Sequence, residues 1–235
     1  MTFQMKRLKA TALGALMLAT APMAADALTV EFDDSSNGVG VDLTLSGTAT
    51  VATSNPQTVG SYTMNIFTAS SFDDPAESTL SSVALDVSGG DAGSTLTIRV
   101  SDTGFGGGAA GPIPSGLTFN VNGTKLGDTA SLASYVDASN ALFGTATQIG
   151  STISATNTGS SSSFVFGGSE TGSAVLNDPF SITQVITISA SANKRTAFDA
   201  DTIAAVPVPA AGLMLLTALG GLGGVGALRR RRKAA

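Results

Sequence analysis

Residues 95–101 read Thr-Leu-Thr-Ile-Arg-Val-Ser, so that Leu96, Ile98 and Val100 alternate with polar side chains. Successive side chains of a β-strand point to opposite sides, and this pattern therefore predicts a strand with one face on a core and the other in water. The same period of two recurs in two further runs. The first run contains Val83, Leu85 and Val87. The second contains Phe180, Ile182, Ile186, Ile188 and Ala190, with Gln184 as a polar exception on its apolar face.

Weaker segments of the same character are spread over the chain and are separated by turn-forming pairs such as Asn37-Gly38 and Asn55-Pro56. Many short strands at this spacing predict an all-β fold, namely a single antiparallel β-sandwich or jelly-roll-like domain. A short helix is an alternative for the segment that contains Leu132, Tyr135 and Val136, because their spacing also fits a helical period. The additional predicted strands are Thr29–Phe32, Val39–Ala52, Val59–Ala69, Leu117–Val121, Ser131–Asp137, Phe143–Ile149 and Ser162–Phe166.

The segment Gly104–Gly116 differs in composition, with six glycines and two prolines in thirteen residues. Few backbone hydrogen bonds are expected from such a segment, which predicts a long surface loop that serves as a connector.

Composition narrows the chemistry that the chain can perform. Histidine, cysteine and tryptophan are absent, which excludes Ser/His/Asp triads, Cys/His pairs, disulfides and the common zinc sites. Between residues 28 and 205 only four cations accompany 16 acidic residues, a formal charge of −12. Such a surface repels nucleic acid, which is therefore not an expected partner, and suits a solvated extracellular protein.

The N-terminus has the three regions of a secretory signal peptide. Lys6, Arg7 and Lys9 precede an apolar run over residues 10–21, and small residues follow. We predict a signal peptide over residues 1–27 with cleavage after Ala27, and cleavage after Ala25 as the alternative. The domain between the two terminal signals then occupies residues 28–205.

The C-terminus has three parts: a proline-containing box over residues 206–211, an apolar run over 212–228 and a basic tail over 229–235. Counted from Ala210, the apolar stretch would cover roughly 28 Å as a helix, which is close to the thickness of a bilayer core. We predict one transmembrane helix, with the basic cluster retained in the cytoplasm and the preceding chain outside. The box residues are Val206, Pro207, Val208, Pro209 and Ala210, and the stop-transfer residues are Arg229, Arg230, Arg231, Arg232 and Lys233.

The order of box, apolar span and basic tail resembles the PEP-CTERM class of sorting signals, in particular the VPLPA-CTERM variant, with Val208 where the variant name has Leu. The resemblance covers about the last thirty residues. It implies an exosortase as processing partner, cleavage near the box, and an inner-membrane intermediate delivered to the cell surface or an exopolysaccharide matrix. A permanently anchored single-pass protein is the alternative, in which the prolines only stiffen a linker.

No residue pattern identifies a reaction or a cofactor. The acidic pairs Asp33-Asp34 and Asp73-Asp74, with Glu77, offer oxygen ligands that suit calcium, but they lack the spacing of a calcium loop, and solvated turn residues are the favoured interpretation. The remaining acidic and amide residues lie beside presumed turns, where hydrogen bonds from their side chains to the backbone are a sufficient explanation: Asp91, Asp102, Asp137 and Asn140. We therefore expect a non-catalytic exported surface or matrix protein without a cofactor, and a carbohydrate- or calcium-binding extracellular module is the alternative.

Overall fold

A computed structural model describes residues 28–53, 55–73, 77–91, 93–106, 110–122, 129–156, 163–176, 178–189 and 194–205. These residues form fourteen β-strands. Their bounds are β1 Leu28–Asp34, β2 Leu43–Gly47, β3 Thr50–Thr53, β4 Gln57–Val59, β5 Tyr62–Asp73, β6 Glu77–Gly89, β7 Thr95–Phe105, β8 Ala110–Asn122, β9 Thr129–Asp137, β10 Thr147–Gln148, β11 Ile153–Thr156, β12 Ser163–Val175, β13 Phe180–Ser189 and β14 Lys194–Ala205.

The strands make two antiparallel sheets of seven strands each. The front sheet has the order β10-β9-β13-β7-β1-β2, with β11 also paired to β9. The back sheet has the order β12-β8-β14-β6-β5-β3, with β4 also paired to β5. The chain therefore crosses from one sheet to the other several times, with the shortest connection between β2 and β3.

The two sheets share one hydrophobic core, which makes the domain a sandwich. Leu96, Ile98 and Val100 of β7 are fully or almost fully buried, as their alternation predicts. The rings of Phe32 on the front sheet and Phe67 on the back sheet meet edge to face with centroids 5.2 Å apart. The prediction of an all-β antiparallel sandwich is thus confirmed for the described residues.

Several predicted strands lie inside observed ones. The segments 29–32, 117–121 and 131–137 belong to β1, β8 and β9, so the short helix considered around Leu132 is wrong. The predictions over 39–52 and 59–69 are too long, because turns interrupt them before β2 and β3 and again before β5 at Gly60 and Ser61. The short strands β10 and β11 and the long strand β14 carry weaker alternation, and β11 and β14 were not predicted.

The predicted loop over Gly104–Gly116 is wrong for most of its length. Strand β7 continues to Phe105, and β8 begins at Ala110 and pairs with β12 without interruption up to Asn122. Pro112 and Pro114 are part of this pairing, opposite Ser173 and Thr171. A neighbouring strand thus organises a segment whose composition by itself favours a loop.

The predicted strand over Phe143–Ile149 is also wrong, since only Thr147 and Gln148 form a strand there. Asn140 and Phe143 have positive φ angles of 58° and 56°, a conformation incompatible with a strand. Hydrogen bonds to the front sheet hold this turn: Phe143 N donates to Ser101 Oγ at 2.9 Å, and Gly104 N donates to Asn140 Oδ1 at 2.8 Å.

The predicted signal peptide over 1–27 and the C-terminal segments over 206–235 lie outside the described residues. Within the described ranges, no helix is long and apolar enough to cross a membrane.

Candidate functional site

The outer face of the back sheet brings together polar side chains from three adjacent central strands. The antiparallel pairing places Ser70, Ser81 and Asp201 side by side on β5, β6 and β14. Asp199 lies two residues before Asp201 on the same face of β14 and is exposed. This surface, which we call the outer face, is formed by regular strands, so its side chains are held by the sheet rather than by loops.

The two carboxylates of the outer face differ in their surroundings. Ser81 Oγ donates a hydrogen bond to Asp201 Oδ1 at 2.5 Å. Partial burial and, to a smaller extent, the neighbouring Asp201 charge raise the pKa of Asp199 above its usual value. Asp199 therefore takes up a proton more readily than an isolated aspartate.

One aromatic ring stands at the margin of the outer face. Phe72 is 61% exposed and lies in register with Thr79 and Ile203 on the adjacent strands. Thr68 and Ile66 occupy the same face of β5. Hydroxyls, carboxylates and an exposed ring thus share one flat surface, which can hydrogen-bond a polar ligand and pack against its apolar side.

The acidic residues considered as calcium ligands are separated by the strand on which they lie. Asp33 and Asp34 point to opposite sides of β1, and Asp34 has no exposed surface. The Asp34 carboxylate accepts hydrogen bonds from the backbone N–H groups of Ser36 at 3.0 Å and Ser61 at 2.6 Å, and from the hydroxyls of both serines. This carboxylate ties the turn after β1 to the turn before β5.

These hydrogen bonds change the acidity of Asp34. Burial alone would raise the pKa of Asp34, but the hydrogen bonds from Ser61 and Ser36 together outweigh it and hold the pKa below the usual value. The group is therefore an ionised structural acceptor, and its hydrogen bonds explain its burial without a metal ion.

The Asp73 carboxylate is likewise engaged in hydrogen bonds within the protein. Its Oδ1 accepts a hydrogen bond from Ser78 Oγ at 2.7 Å, and its Oδ2 accepts one from Gly106 N at 3.1 Å. Asp74 lies outside the described residues, as does the side chain of Glu77. Among the described residues, no group of three acidic side chains is arranged to hold a metal ion.

Sequence reasoning missed the buried role of Asp102. It was interpreted as a turn residue, but it lies within β7 and has no exposed surface. Ser71 of the back sheet donates a hydrogen bond to its carboxylate, and Thr103 N donates another at 2.7 Å. The sequence does contain an indication of this burial. Asp102 follows Val100 by two residues, so it continues the inward-facing positions of the strongest alternating run.

The predicted sorting residues Val206–Ala210, the basic cluster Arg229–Lys233 and the cleavage residues Ala25 and Ala27 all lie outside the described residues. Their roles therefore stay predictions from the sequence.

No protein-family model and no curated protein matches the chain. Among solved structures, it is similar to the carbohydrate-binding module TmCBM61 in complex with β-1,4-galactotriose, with 11% identity over 58% of this chain and 86% of that chain and a TM-score of 0.30. It is also similar to CBM28, a non-crystalline cellulose specific carbohydrate-binding module, with 7% identity over 59% of this chain and 79% of that one and a TM-score of 0.32.

A third similarity is to the enzymatically active domain of bacteriophage CBA120 tailspike protein 4, with 14% identity, a TM-score of 0.29, and coverage of 56% of this chain and 18% of that one. At these TM-scores the three similarities carry no argument about ligand or activity.

Proposed function

We propose that this chain is a non-catalytic exported surface or matrix protein whose β-sandwich is delivered outside the cell and separated from its C-terminal helix at the box over residues 206–211. The exosortase expected from the resemblance of the C-terminus would perform that cleavage. In this proposal the membrane is a transient partner, and exopolysaccharide is the surrounding material.

The position of β14 is the observation that carries the proposal. β14 pairs with β6 along one side and with β8 along the other, so it is an interior strand of the back sheet. It ends at Ala205, and the first box residue, Val206, follows directly. Cleavage inside the box would therefore leave every described strand in the released protein.

The chemistry of the box suits a peptidase substrate. Pro207 and Pro209 fix their own φ angles and bias Val206 and Val208 toward extended geometry. Peptidases bind extended chains, commonly by adding the substrate as a strand. A cleavable segment between a completed sheet and a membrane helix is thus consistent with transfer of the intact domain.

Mass spectrometry of the C-terminus of surface-exposed protein tests this function. We expect a terminus within residues 206–211 for the natural chain, and an uncleaved, membrane-bound chain that keeps Arg229–Lys233 when Pro207 and Pro209 are both changed to Ala. Pro56→Ala, in a turn far along the sequence from the box, serves as the matched control and should be processed normally. Recovery of the intact basic tail from surface-exposed natural protein would favour permanent anchoring and refute the proposal.

A second candidate function is binding of a neutral polysaccharide by the outer face. Phe72 offers an exposed ring against which the C–H face of a sugar can pack, and the Ser81 and Asp201 side chains offer hydrogen-bonding groups for sugar hydroxyls. The sheet would present these groups on a backbone that is already ordered, which lowers the cost of binding.

Titration of the exported protein with soluble β-glucans and galactans, and separately with calcium, tests this second function. A ligand of the native state raises the melting temperature, and Phe72→Ala should weaken polysaccharide binding by about tenfold. Val175→Ala changes another exposed apolar residue of the back sheet and should leave binding unchanged. The absence of any shift in melting temperature with these polymers would dismiss the second candidate.

A further inference from the structure

The strands at the sheet edges differ greatly in length. At the margins of the front sheet lie β2 with five residues and β10 and β11 with two and four. One margin of the back sheet has β3 and β4 with four and three residues, whereas the other is β12 with thirteen. Short edge strands are a common protection against unwanted pairing, and among the described strands β12 is the edge that lacks it.

Strand β12 also lacks most of the other common protections, and its one charged side chain is Glu170. It contains no proline, lysine or arginine, and its register with β8 is unbroken over all thirteen residues. In an antiparallel strand, about half of the residues direct their N–H and C=O groups away from the neighbour, here roughly six. Within the described part of the chain, no strand pairs with that side of β12.

The low charge of this edge makes it a suitable place for two acidic copies to approach. Strands β8 and β12, of thirteen residues each, contain a single ionisable side chain, Glu170, in a domain of formal charge −12. Glu170 is half-buried, and its Oε2 accepts a hydrogen bond from Ser151 N at 3.3 Å within the same chain. Repulsion between two acidic copies is therefore small where these strands meet.

We propose that β12 is a self-association edge, at which a second copy of this chain pairs its own β12 antiparallel to the first. A two-fold axis at Ser169, the middle residue of β12, would place Ser169 opposite Ser169 of the second copy and extend the back sheet across the pair. The same register places Glu170 opposite Gly168, which keeps the two carboxylates from facing one another. Both copies then satisfy the outward backbone groups of the entire strand.

The absence of cysteine from the chain permits a direct test of this register. Directly opposite residues of antiparallel strands have Cα atoms about 4.5–5.5 Å apart, which suits a disulfide. The full chain with Ser169→Cys, purified in mild detergent and oxidised gently, should therefore form a disulfide-linked dimer. Ser173→Cys is the matched control, because it is exposed on the same face of β12 but would lie roughly 27 Å from its counterpart.

We expect the Ser169→Cys chain to crosslink at least about ten times faster than the Ser173→Cys chain, since pairing raises the effective concentration of its thiols. In sedimentation, the natural chain should be a dimer and Ser169→Lys should shift it toward monomer, because two lysines would then face each other. A folded Ser169→Cys chain that stays monomeric, or equal crosslinking of the two variants, would overturn the proposal. The result does not depend on export, so it is independent of the proposed processing.

Discussion

The side-chain amide of Gln184 on β13 joins the two sheets, because its Oε1 accepts a hydrogen bond from Ser82 Oγ on β6 at 2.7 Å. Its Nε2 donates to Leu80 O at 2.9 Å, to Ala200 O at 3.2 Å and to Thr202 Oγ1 at 3.1 Å. Gln184 has no exposed surface. Gln184, the one polar residue on the apolar face of β13, is therefore fully hydrogen-bonded and links the two sheets through the core.

Gln184→Leu should lower the free energy of unfolding by about 2–4 kcal/mol, because it leaves the buried Ser82 hydroxyl and two backbone carbonyls without this partner. Urea unfolding at neutral pH measures the effect. Gln148→Leu, at an exposed position of β10, is the control and should have little effect. If the bridge matters, Gln184→Leu combined with Ser82→Ala should cost less than the sum of the two single changes.

The hydrogen bonds to the Asp34 carboxylate predict that the domain loses stability in acid. The folded-state pKa of Asp34 lies below its ordinary value. The carboxylate therefore contributes stability at any pH above the ordinary pKa, and this contribution is lost as the pH falls through the folded-state pKa. Asp34→Asn should therefore be clearly destabilised at neutral pH, and its difference in melting temperature from the natural chain should shrink as the pH falls below 3.8, the ordinary pKa of this carboxyl, and through the lowered folded-state pKa. Asp33→Asn removes the same charge from the opposite face of β1. If both variants behave alike, the hydrogen bonds around Asp34 are not the cause.

Position 60, next to the Asp34 carboxylate, has no room for a side chain larger than that of glycine. It has a positive φ of 55°, and a Cβ placed there would lie 2.6 Å from Asp34 Cβ. Gly60→Ala should lower the free energy of unfolding by more than about 2 kcal/mol, the sum of backbone strain and displacement of Asp34. Gly93→Ala, at a positive φ of 84° with open space, is the control for backbone strain alone. Equal losses in denaturant unfolding would show that Asp34 can move aside at no cost.

The boundary at Ala205 predicts how truncated chains behave. A chain of residues 28–205 should unfold in one cooperative transition, whereas a chain of 28–193 lacks β14 and should not fold. The reason is that removal of an interior strand leaves β6 and β8 without their shared partner. Circular dichroism and thermal unfolding compare the two. A cooperative transition in the shorter chain would contradict the assignment of β14 to the centre of the back sheet.

Asp199 predicts the opposite pH dependence from Asp34. Its folded-state pKa is raised by burial and by Asp201, so its protonated form is favoured and its contribution to stability is lost as the pH rises through the folded pKa. Asp199→Asn should raise the melting temperature at neutral pH by about 1–2 °C at low salt, and less at high salt. Asp201→Asn instead disturbs the hydrogen bond from Ser81 and should not stabilise the domain.

The candidate outer face could be predicted only in part. The alternation of β5 and β14 is weak around Phe72 and Asp199, since small and hydroxyl side chains occupy many of the inward positions. That these residues share a face follows from pairing between strands distant along the sequence. The β-propensity of a segment depends on its own residues. The pairing of distant strands depends on tertiary contacts, which cannot be read from a single sequence.

By itself, the sequence determined the all-β class and the strands with strong alternation, because one apolar side chain in every two residues can be buried only on the face of a sheet. Tertiary contacts decided the rest. Residues 110–116, which read as a loop, become part of a strand because β12 lies beside them, and residues 143–146 leave the sheet because Ser101 binds the turn that precedes β10. The buried states of Asp34 and Asp102 were decided in the same way, since a carboxylate can lose its water only where folded neighbours supply donors in its place.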